Sequence, residues 1–141
     1  VPFQLGNYLL TRKVGSGGAG IVYQATSSVD QSIVAVKVLR PEITASQTAI
    51  RRFAKEARLH AEITSPYVTR LIELNQHQGS YYMVSEFVPG VTLRNVLLNS
   101  KKFPVNLALL IIRDVLRALT ALHQNNVVHR DVKPDNIILA N

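Results

Sequence analysis

HRDVKPDN, at residues 129–136, is the most informative segment of this sequence. It brings a histidine, basic side chains, carboxylates and an asparagine together directly after a long stretch with helical apolar spacing. Burying such groups in a core is unfavourable unless each of them is paired. The segment therefore predicts a catalytic or binding loop rather than part of a core.

Two further motifs lie upstream. GSGGAGIV at residues 15–22 fits the pattern G-x-G-x-x-G-x-V, and VAVK at residues 34–37 fits a lysine-bearing strand. The glycine pattern alone is a weak signal, because dinucleotide-binding folds and flexible loops also contain it. The order and spacing of all three motifs together argue against a chance match in a generic α/β domain.

With these motifs the sequence resembles protein kinases over nearly its whole length. Lys133 and the KPDN motif that it begins make the sequence most similar to eukaryotic-like (Hanks-type) bacterial Ser/Thr kinases. The resemblance implies transfer of the γ-phosphoryl group of Mg-ATP to a protein hydroxyl. Because the chain ends at Asn141, before the DFG aspartate that binds magnesium in kinases, we expect the N-terminal portion of a catalytic domain, with little activity as a truncated chain.

The resemblance implies an α+β fold in two parts. Residues 1–88 would form a kinase-like N-lobe, with a five-stranded antiparallel sheet and one helix. Residues 89–141 would form the end of the hinge and a truncated C-lobe through the catalytic loop. Apolar periodicity predicts matching elements, with strands at residues 8–14, 21–25, 32–39, 68–74 and 81–87 and a helix at residues 46–63.

The second part is predicted to contain two helices. Residues 89–90 interrupt the chain, and Thr92 is placed to cap a short helix. A long helix follows Pro104 and ends at residues 125–126, whose asparagines tolerate the left-handed conformation. Its wide apolar stripe predicts burial in a core and consists of Leu107, Leu110, Ile111, Val115, Ala118, Leu119 and Leu122.

Composition bounds the function classes. The 141 residues are 47% hydrophobic and 18% charged, which is typical of a globular chain. The net charge of +7 comes from scattered basic residues, so nucleic-acid binding is not expected. The absence of cysteine excludes disulfides, thiolate metal sites and a cysteine nucleophile. Apolar runs are too short to span a membrane, so we expect a cytoplasmic segment without membrane contact.

The resemblance assigns the phosphates of ATP to the glycine loop and to Lys37. An ammonium in an apolar strand is unfavourable unless an anion lies beside it. Glu56 is the preferred helix partner of Lys37, and Glu62 is a competitor near the helix end. Phosphate oxygens also need backbone N–H donors that side chains would obstruct, and the residues assigned to this role are Gly15, Gly17, Gly18 and Gly20.

The adenine ring is assigned to apolar side chains and to the backbone of the hinge. Ser85 takes the gatekeeper place, where a small side chain leaves room for a deep pocket. The residues that the resemblance assigns to this part of the nucleotide site are Val22, Ala35, Glu86, Val88 and Ile138.

The catalytic roles fall on the loop at residues 129–136. Asp131 is expected to orient the substrate hydroxyl and accept its proton, while Lys133 faces the transferred phosphate and Asn136 holds one Mg²⁺. Lys133 favours Ser/Thr over Tyr specificity by the same resemblance. His129 is expected to be a hydrogen-bonded structural residue.

Two other functions stay open. The chain could be a pseudokinase-like module that binds a nucleotide or another protein, or a nucleotide-binding protein outside the kinase family. The expected partners are ATP and a protein substrate. The apolar face of the long helix further predicts self-association or a partner that covers the truncated C-lobe.

Overall fold

The computed structural model describes residues 2–100 and 102–141. The chain up to Glu62 packs with Arg70–Phe87 as one compact unit. Ile63–Thr69 and Val88–Asn141 form a second unit. The proposed domain boundary after residue 88 stays a prediction.

A six-stranded antiparallel sheet dominates the first unit. Its strand order is β1-β2-β3-β4-β6-β5. All five predicted strands are present. A short additional strand extends the sheet, and the sequence did not predict it because three residues are too few to show an alternating pattern. The strands are β1 (Phe3–Leu5), β2 (Tyr8–Gly17), β3 (Gly20–Ser27), β4 (Ile33–Leu39), β5 (Leu71–His77) and β6 (Ser80–Glu86).

One face of this sheet carries the hydrophobic core. Leu10, Ala25, Val36 and Val84 are at most 1% exposed to solvent. Successive side chains of a strand point to opposite faces. Lys37, which follows Val36 in β4, therefore lies on the face opposite to this core.

Helix α1 (Gln47–Ala61) packs against β5 of the sheet. It begins after Ser46, whose Oγ accepts a hydrogen bond from the Ala49 N–H at 3.1 Å. This side-chain cap satisfies one of the N–H groups that have no partner within the helix. The predicted helix is confirmed, with its ends shifted inward by one or two residues.

The second unit contains β7 (Gly90–Thr92), α2 (Leu93–Asn99), α3 (Val105–Gln124) and β8 (Ile138–Ala140). Thr92 caps α2 as predicted, since its Oγ1 accepts a hydrogen bond from the Asn95 N–H at 3.2 Å. The strands β7 and β8, which the sequence did not predict, form an antiparallel pair. Gly90 is needed at this pair, because a Cβ atom there would lie 2.2 Å from the Leu139 carbonyl oxygen.

Helix α3 has the predicted bounds, but the predicted burial of its apolar stripe is only partly observed. Leu122 is 4% exposed, whereas Leu107 and Leu110 are solvent-exposed. Its C-terminal half contacts the 63–69 segment, where the Arg117 guanidinium donates to the Tyr67 hydroxyl at 2.9 Å. The N-terminal half of the stripe is exposed because the remaining described residues of this unit form no layer over it, which agrees with the uncovered apolar face that the sequence predicted for this helix. No helix in the described residues is long and apolar enough to cross a membrane.

Candidate functional site

The glycine loop joins β2 to β3 in the first unit, with Gly17 paired with Gly20. A Cβ atom at Gly20 would lie 2.1 Å from the Val38 carbonyl oxygen, so packing against β4 requires this glycine. A Cβ atom at Gly15, Gly17 or Gly18 would have no atom within 4 Å. None of these three has a positive φ. The fold therefore gives no reason for glycine at these three positions.

Several residues that were predicted to bind the nucleotide lie on the sheet face opposite to the core. Val22 pairs with Lys37, and Ala35 pairs with Ser85. Directly paired residues on neighbouring strands lie on the same face, and so do residues two apart in one strand. Val22, Ala35, Lys37 and Ser85 are all half-buried on this face.

The two predicted glutamates of the first unit differ in their surroundings. Glu56 is exposed in the middle of α1, where the sequence placed it. Glu86 ends β6, and its N–H donates to the Arg70 carbonyl at 3.0 Å. Its carboxylate accepts a hydrogen bond from the Arg70 N–H at 2.6 Å. The Glu86 N–H is therefore already hydrogen-bonded, and its backbone carbonyl is the main-chain group that could accept a hydrogen bond from an adenine ring. Val88 lies half-buried in the second unit.

The segment 129–136 of the second unit brings three predicted catalytic residues together. The Lys133 Nζ lies 2.9 Å from the Asp131 Oδ2. The Asn136 Nδ2 donates to the same Oδ2 at 3.1 Å and to the Asp131 carbonyl at 2.8 Å. A short 3₁₀ turn, Pro134–Asn136, folds the chain back so that these contacts form. All three side chains are exposed.

These contacts set the electrostatics of the loop. Hydrogen bonds from Lys133 and then Asn136 hold the pKa of Asp131 below its usual value. An ionised carboxylate accepts hydrogen bonds without donating any, which suits a group that orients a hydroxyl. The Asp131 carboxylate is therefore ionised at neutral pH.

Asn136 is the residue of this loop that could bind a cation. Its Nδ2 is bonded to Asp131, which leaves the amide Oδ1 as a possible metal ligand. The described residues contain no group of three or more His, Cys, Asp or Glu that could hold a metal. Mg²⁺ commonly completes its coordination with water and phosphate oxygens. The residues present therefore fit a cation that arrives with a phosphate ligand.

Two residues before Asp131, His129 has the structural role that the sequence predicted. Its Nδ1 accepts a hydrogen bond from the Asp131 N–H at 3.2 Å. Arg130 between them adopts a φ of 62°, which is unfavourable for a residue other than glycine. The sequence alone gave no sign of this strained turn.

Ile138 follows the 129–136 segment and lies in β8, paired with Thr92. The adjoining Ile137 carbonyl accepts a hydrogen bond from the Leu93 N–H at 2.8 Å. These bonds attach the chain directly after the 129–136 segment to the start of α2.

Residues 8–141 match the family model described as protein kinase domain. The chain belongs to the protein kinase family. The serine/threonine-protein kinase PrkC of Bacillus subtilis is 34% identical over 134 residues, which are 95% of this chain and 21% of that protein. PknD of Mycobacterium tuberculosis is 32% identical over 136 residues, or 96% of this chain and 20% of that protein. The chain thus spans about a fifth of the length of these kinases.

The fold agrees with this family. A crystal structure of the Mycobacterium tuberculosis PknI kinase domain is similar with a TM-score of 0.85 and 26% identity, covering 98% of this chain and 57% of that one. The predicted resemblance to bacterial Ser/Thr kinases and the predicted kinase-like fold class are therefore confirmed.

Arg40 is a residue of this kinase chain that the sequence analysis did not single out. Its Nε donates to the Gly17 carbonyl at 3.2 Å, and its backbone N–H donates to the Ala19 carbonyl at 3.0 Å. No motif marks this arginine. Its position directly after the lysine strand is the one signal that could have drawn attention to it.

Proposed function

We propose that this chain provides the ATP-binding and catalytic-loop residues of a protein serine/threonine kinase. The observation that carries this proposal is the exposed Asp131 carboxylate, which two neighbouring polar side chains hold in place. Stability alone does not explain such a group, because exposed ion pairs contribute little to folding. Membership of the protein kinase family supports the same interpretation.

The nucleotide phosphates are assigned to the first unit. The positions of Gly15, Gly17 and Gly18 are open where side chains would otherwise lie, so phosphate oxygens could approach the backbone N–H groups there. Lys37, half-buried on the sheet, would supply the positive charge for the phosphates. Glu56 is the proposed partner that orients Lys37.

The adenine ring is assigned to apolar side chains that leave space for the ring and to backbone groups that can form hydrogen bonds with it. Val22 and Ala35 would contact its faces, and the Glu86 carbonyl would accept a hydrogen bond from its amino group. Val88 and Ile138 are proposed as further adenine contacts.

The proposed reaction is transfer of a phosphoryl group to a protein hydroxyl. The hydroxyl oxygen forms a bond to the γ-phosphorus, while the bond between that phosphorus and the bridging oxygen breaks and ADP leaves with its electron pair. Asp131 orients the hydroxyl and accepts its proton. Lys133 balances negative charge on the transferred group. Magnesium, when bound, neutralises charge on the phosphate oxygens, and Asn136 would be a ligand for it.

Titration with Mg-ATP tests the nucleotide part of this proposal. Lys37→Ala should weaken binding about 10- to 100-fold, because a hydrogen bond to a charged group is worth about 1.5–3 kcal/mol. Lys55→Ala removes an equal charge from the exposed surface of α1 and should leave the affinity unchanged. Equal affinities of the Lys37→Ala variant and the wild type would contradict the role of Lys37.

Phosphorylation of a protein substrate by the protein that carries this chain tests the catalytic part. Asp131→Asn should lower the rate by about 10²–10⁴, the usual contribution of a general base. The exposed neighbour Asp135 is the matched control, and Asp135→Asn should have little effect. Wild-type binding of Mg-ATP without phosphoryl transfer would instead favour the pseudokinase-like alternative.

A further inference from the structure

Arg40 makes two hydrogen bonds to the tip of the glycine loop. Its Nε donates to the Gly17 carbonyl, and its own N–H donates to the Ala19 carbonyl. Gly18 thus lies between Gly17 and Ala19, whose carbonyl groups both accept hydrogen bonds from Arg40. Arg40 directly follows β4, the strand that carries Lys37.

These bonds add a constraint to a glycine-rich tip whose two sides are paired at Gly17 and Gly20. Glycine loses more conformational freedom on ordering than any other residue. A trans peptide points its N–H and its carbonyl in opposite directions. By holding the Gly17 carbonyl, Arg40 therefore also fixes the direction in which the Gly18 N–H points.

We propose that Arg40 is a positioning residue that orients the Gly18 N–H for a nucleotide phosphate. This inference rests on the proposed nucleotide-binding function of the loop. The Arg40 side chain acts through the Gly17 peptide, since its Nε is bonded to that carbonyl. The bond is solvent-exposed, so its effect on affinity is modest, about threefold to tenfold for one hydrogen bond.

The alternative is that Arg40 attracts the phosphates only by its charge. Attraction between exposed charges weakens with added salt, because the Debye length shortens from about 10 Å at 0.1 M to about 3 Å at 1 M. A fixed peptide orientation is far less sensitive to salt. Arg51 is a suitable control for the charge, since it is an exposed arginine on α1 of the same unit.

The test is titration of the chain, its Arg40→Gln variant and its Arg51→Gln variant with Mg-ATP and with adenosine, at low and high salt. Arg40→Gln should weaken Mg-ATP binding about threefold to tenfold at both salt concentrations and leave adenosine binding unchanged. Arg51→Gln should match the wild type at high salt. A deficit in Arg40→Gln that disappears at high salt, or that is equal for adenosine, would overturn the proposal.

Hydrogen exchange without nucleotide separates this proposal from the proposed function. Amides of residues 15–22 should exchange faster in Arg40→Gln than in the wild type and in Arg51→Gln, with the rest of the sheet unchanged. Unchanged exchange in this segment would contradict the role of Arg40 even if Mg-ATP binds normally. Failure of the wild type to bind Mg-ATP would contradict the proposed function, while the exchange result would still show whether Arg40 holds the loop.

Discussion

The sheet of the first unit and helix α3 of the second use similar apolar residues in different ways. In the sheet, alternate side chains are buried, and Leu10, Val36 and Val84 are almost inaccessible to solvent. In α3, Leu107 and Leu110 of the apolar stripe are solvent-exposed. So are Leu109, at 62%, Ile112 and Leu116, which lie outside the stripe. An apolar pattern therefore predicts which side of an element can be buried, but the neighbours of that element decide whether burial occurs.

The difference follows from how the two elements are covered. Strands β2, β3, β4 and β6 are neighbours in one sheet, so their inward-facing side chains pack on one another. Much of the N-terminal half of α3 has no such layer within the described residues of its unit. A contiguous apolar surface of this kind commonly marks an interaction site.

Matched leucine substitutions give the largest expected effect. Leu10→Ala should lower the free energy of unfolding by about 2–5 kcal/mol, because it leaves a cavity in a closed core. Leu109→Ala should change it by no more than about 0.5 kcal/mol, because that side chain is already exposed. Urea denaturation of both variants, at a concentration low enough to keep the chain monomeric, would measure the contrast. Similar losses would show that other residues of the same chain cover α3 in solution.

Two glycines extend the comparison to the glycine loop. Gly20→Ala should cost about 1–3 kcal/mol, because the new methyl group would overlap the Val38 carbonyl of β4. Gly18→Ala has open space and should leave stability unchanged or raise it by up to about 1 kcal/mol. Thermal unfolding gives both values, and a loss of stability in Gly18→Ala would mean that the tip is packed more tightly than the structure shows.

Self-association is the next effect in size. We expect the chain to associate through the exposed face of α3, and the double variant Ile112→Gln/Leu116→Gln should raise the apparent dissociation constant at least about tenfold. Burying one such side chain is worth about 1.5–3 kcal/mol, which makes this a conservative expectation. Light scattering across a dilution series is the measurement. A wild type that stays monomeric at high micromolar concentration would contradict association through α3.

The smallest expected effect is a change in the pKa of one aspartate. Two exposed aspartates, one in each unit, provide the comparison. Asp30 accepts hydrogen bonds from the Ser32 hydroxyl at 2.7 Å and from the Ser32 N–H at 3.0 Å, and these bonds lower its pKa. Bonds from Lys133 and Asn136 lower the pKa of Asp131. Lys133→Met should therefore raise the pKa of Asp131 towards its ordinary value of about 3.9 and leave Asp30 unchanged.

Carboxyl NMR titration resolves the two groups. Folding lowers the pKa of Asp131. The stabilising contacts of its carboxylate are therefore complete above the ordinary pKa and are lost as the pH falls through the lowered pKa. An Asp131 midpoint that does not move in Lys133→Met would show that Lys133 does not hold the carboxylate in solution.

Local patterns predicted most of the fold. Apolar periodicity located the five main strands. Gly79, in the turn between β5 and β6, has a φ of 81°, a conformation that glycine adopts readily. Asn126, two residues after the end of α3, has a φ of 58°, as its residue type suggested. The short strands β1, β7 and β8 could not be predicted, because three residues carry no periodic signal. The φ of 61° at Gln31 was equally hidden, since glutamine does not favour it.

The candidate site likewise contains some contacts that a local motif predicts and others that it does not. Asp131, Lys133 and Asn136 lie within six consecutive residues, so a single turn brings them together, and the motif predicted all three. Arg40 and Gly17 are 23 residues apart and meet only because β3 and β4 pair in a specific register. Contacts of this second kind depend on the assembled sheet, which no local pattern describes.

The pairing of β7 with β8 has a consequence for the order of folding. The chain leaves Gly90–Thr92, runs through α2, α3 and the 129–136 segment, and returns to the same place at Ile138–Ala140. Closing a loop of roughly fifty residues carries an entropic cost that is paid before the few bonds of the pair are gained. Forming α3 first shortens that search, since a helix of 20 residues spans about 30 Å instead of behaving as a flexible coil. The 129–136 segment should therefore be among the last parts of this unit to become ordered during folding, and among the first to open when the unit begins to unfold.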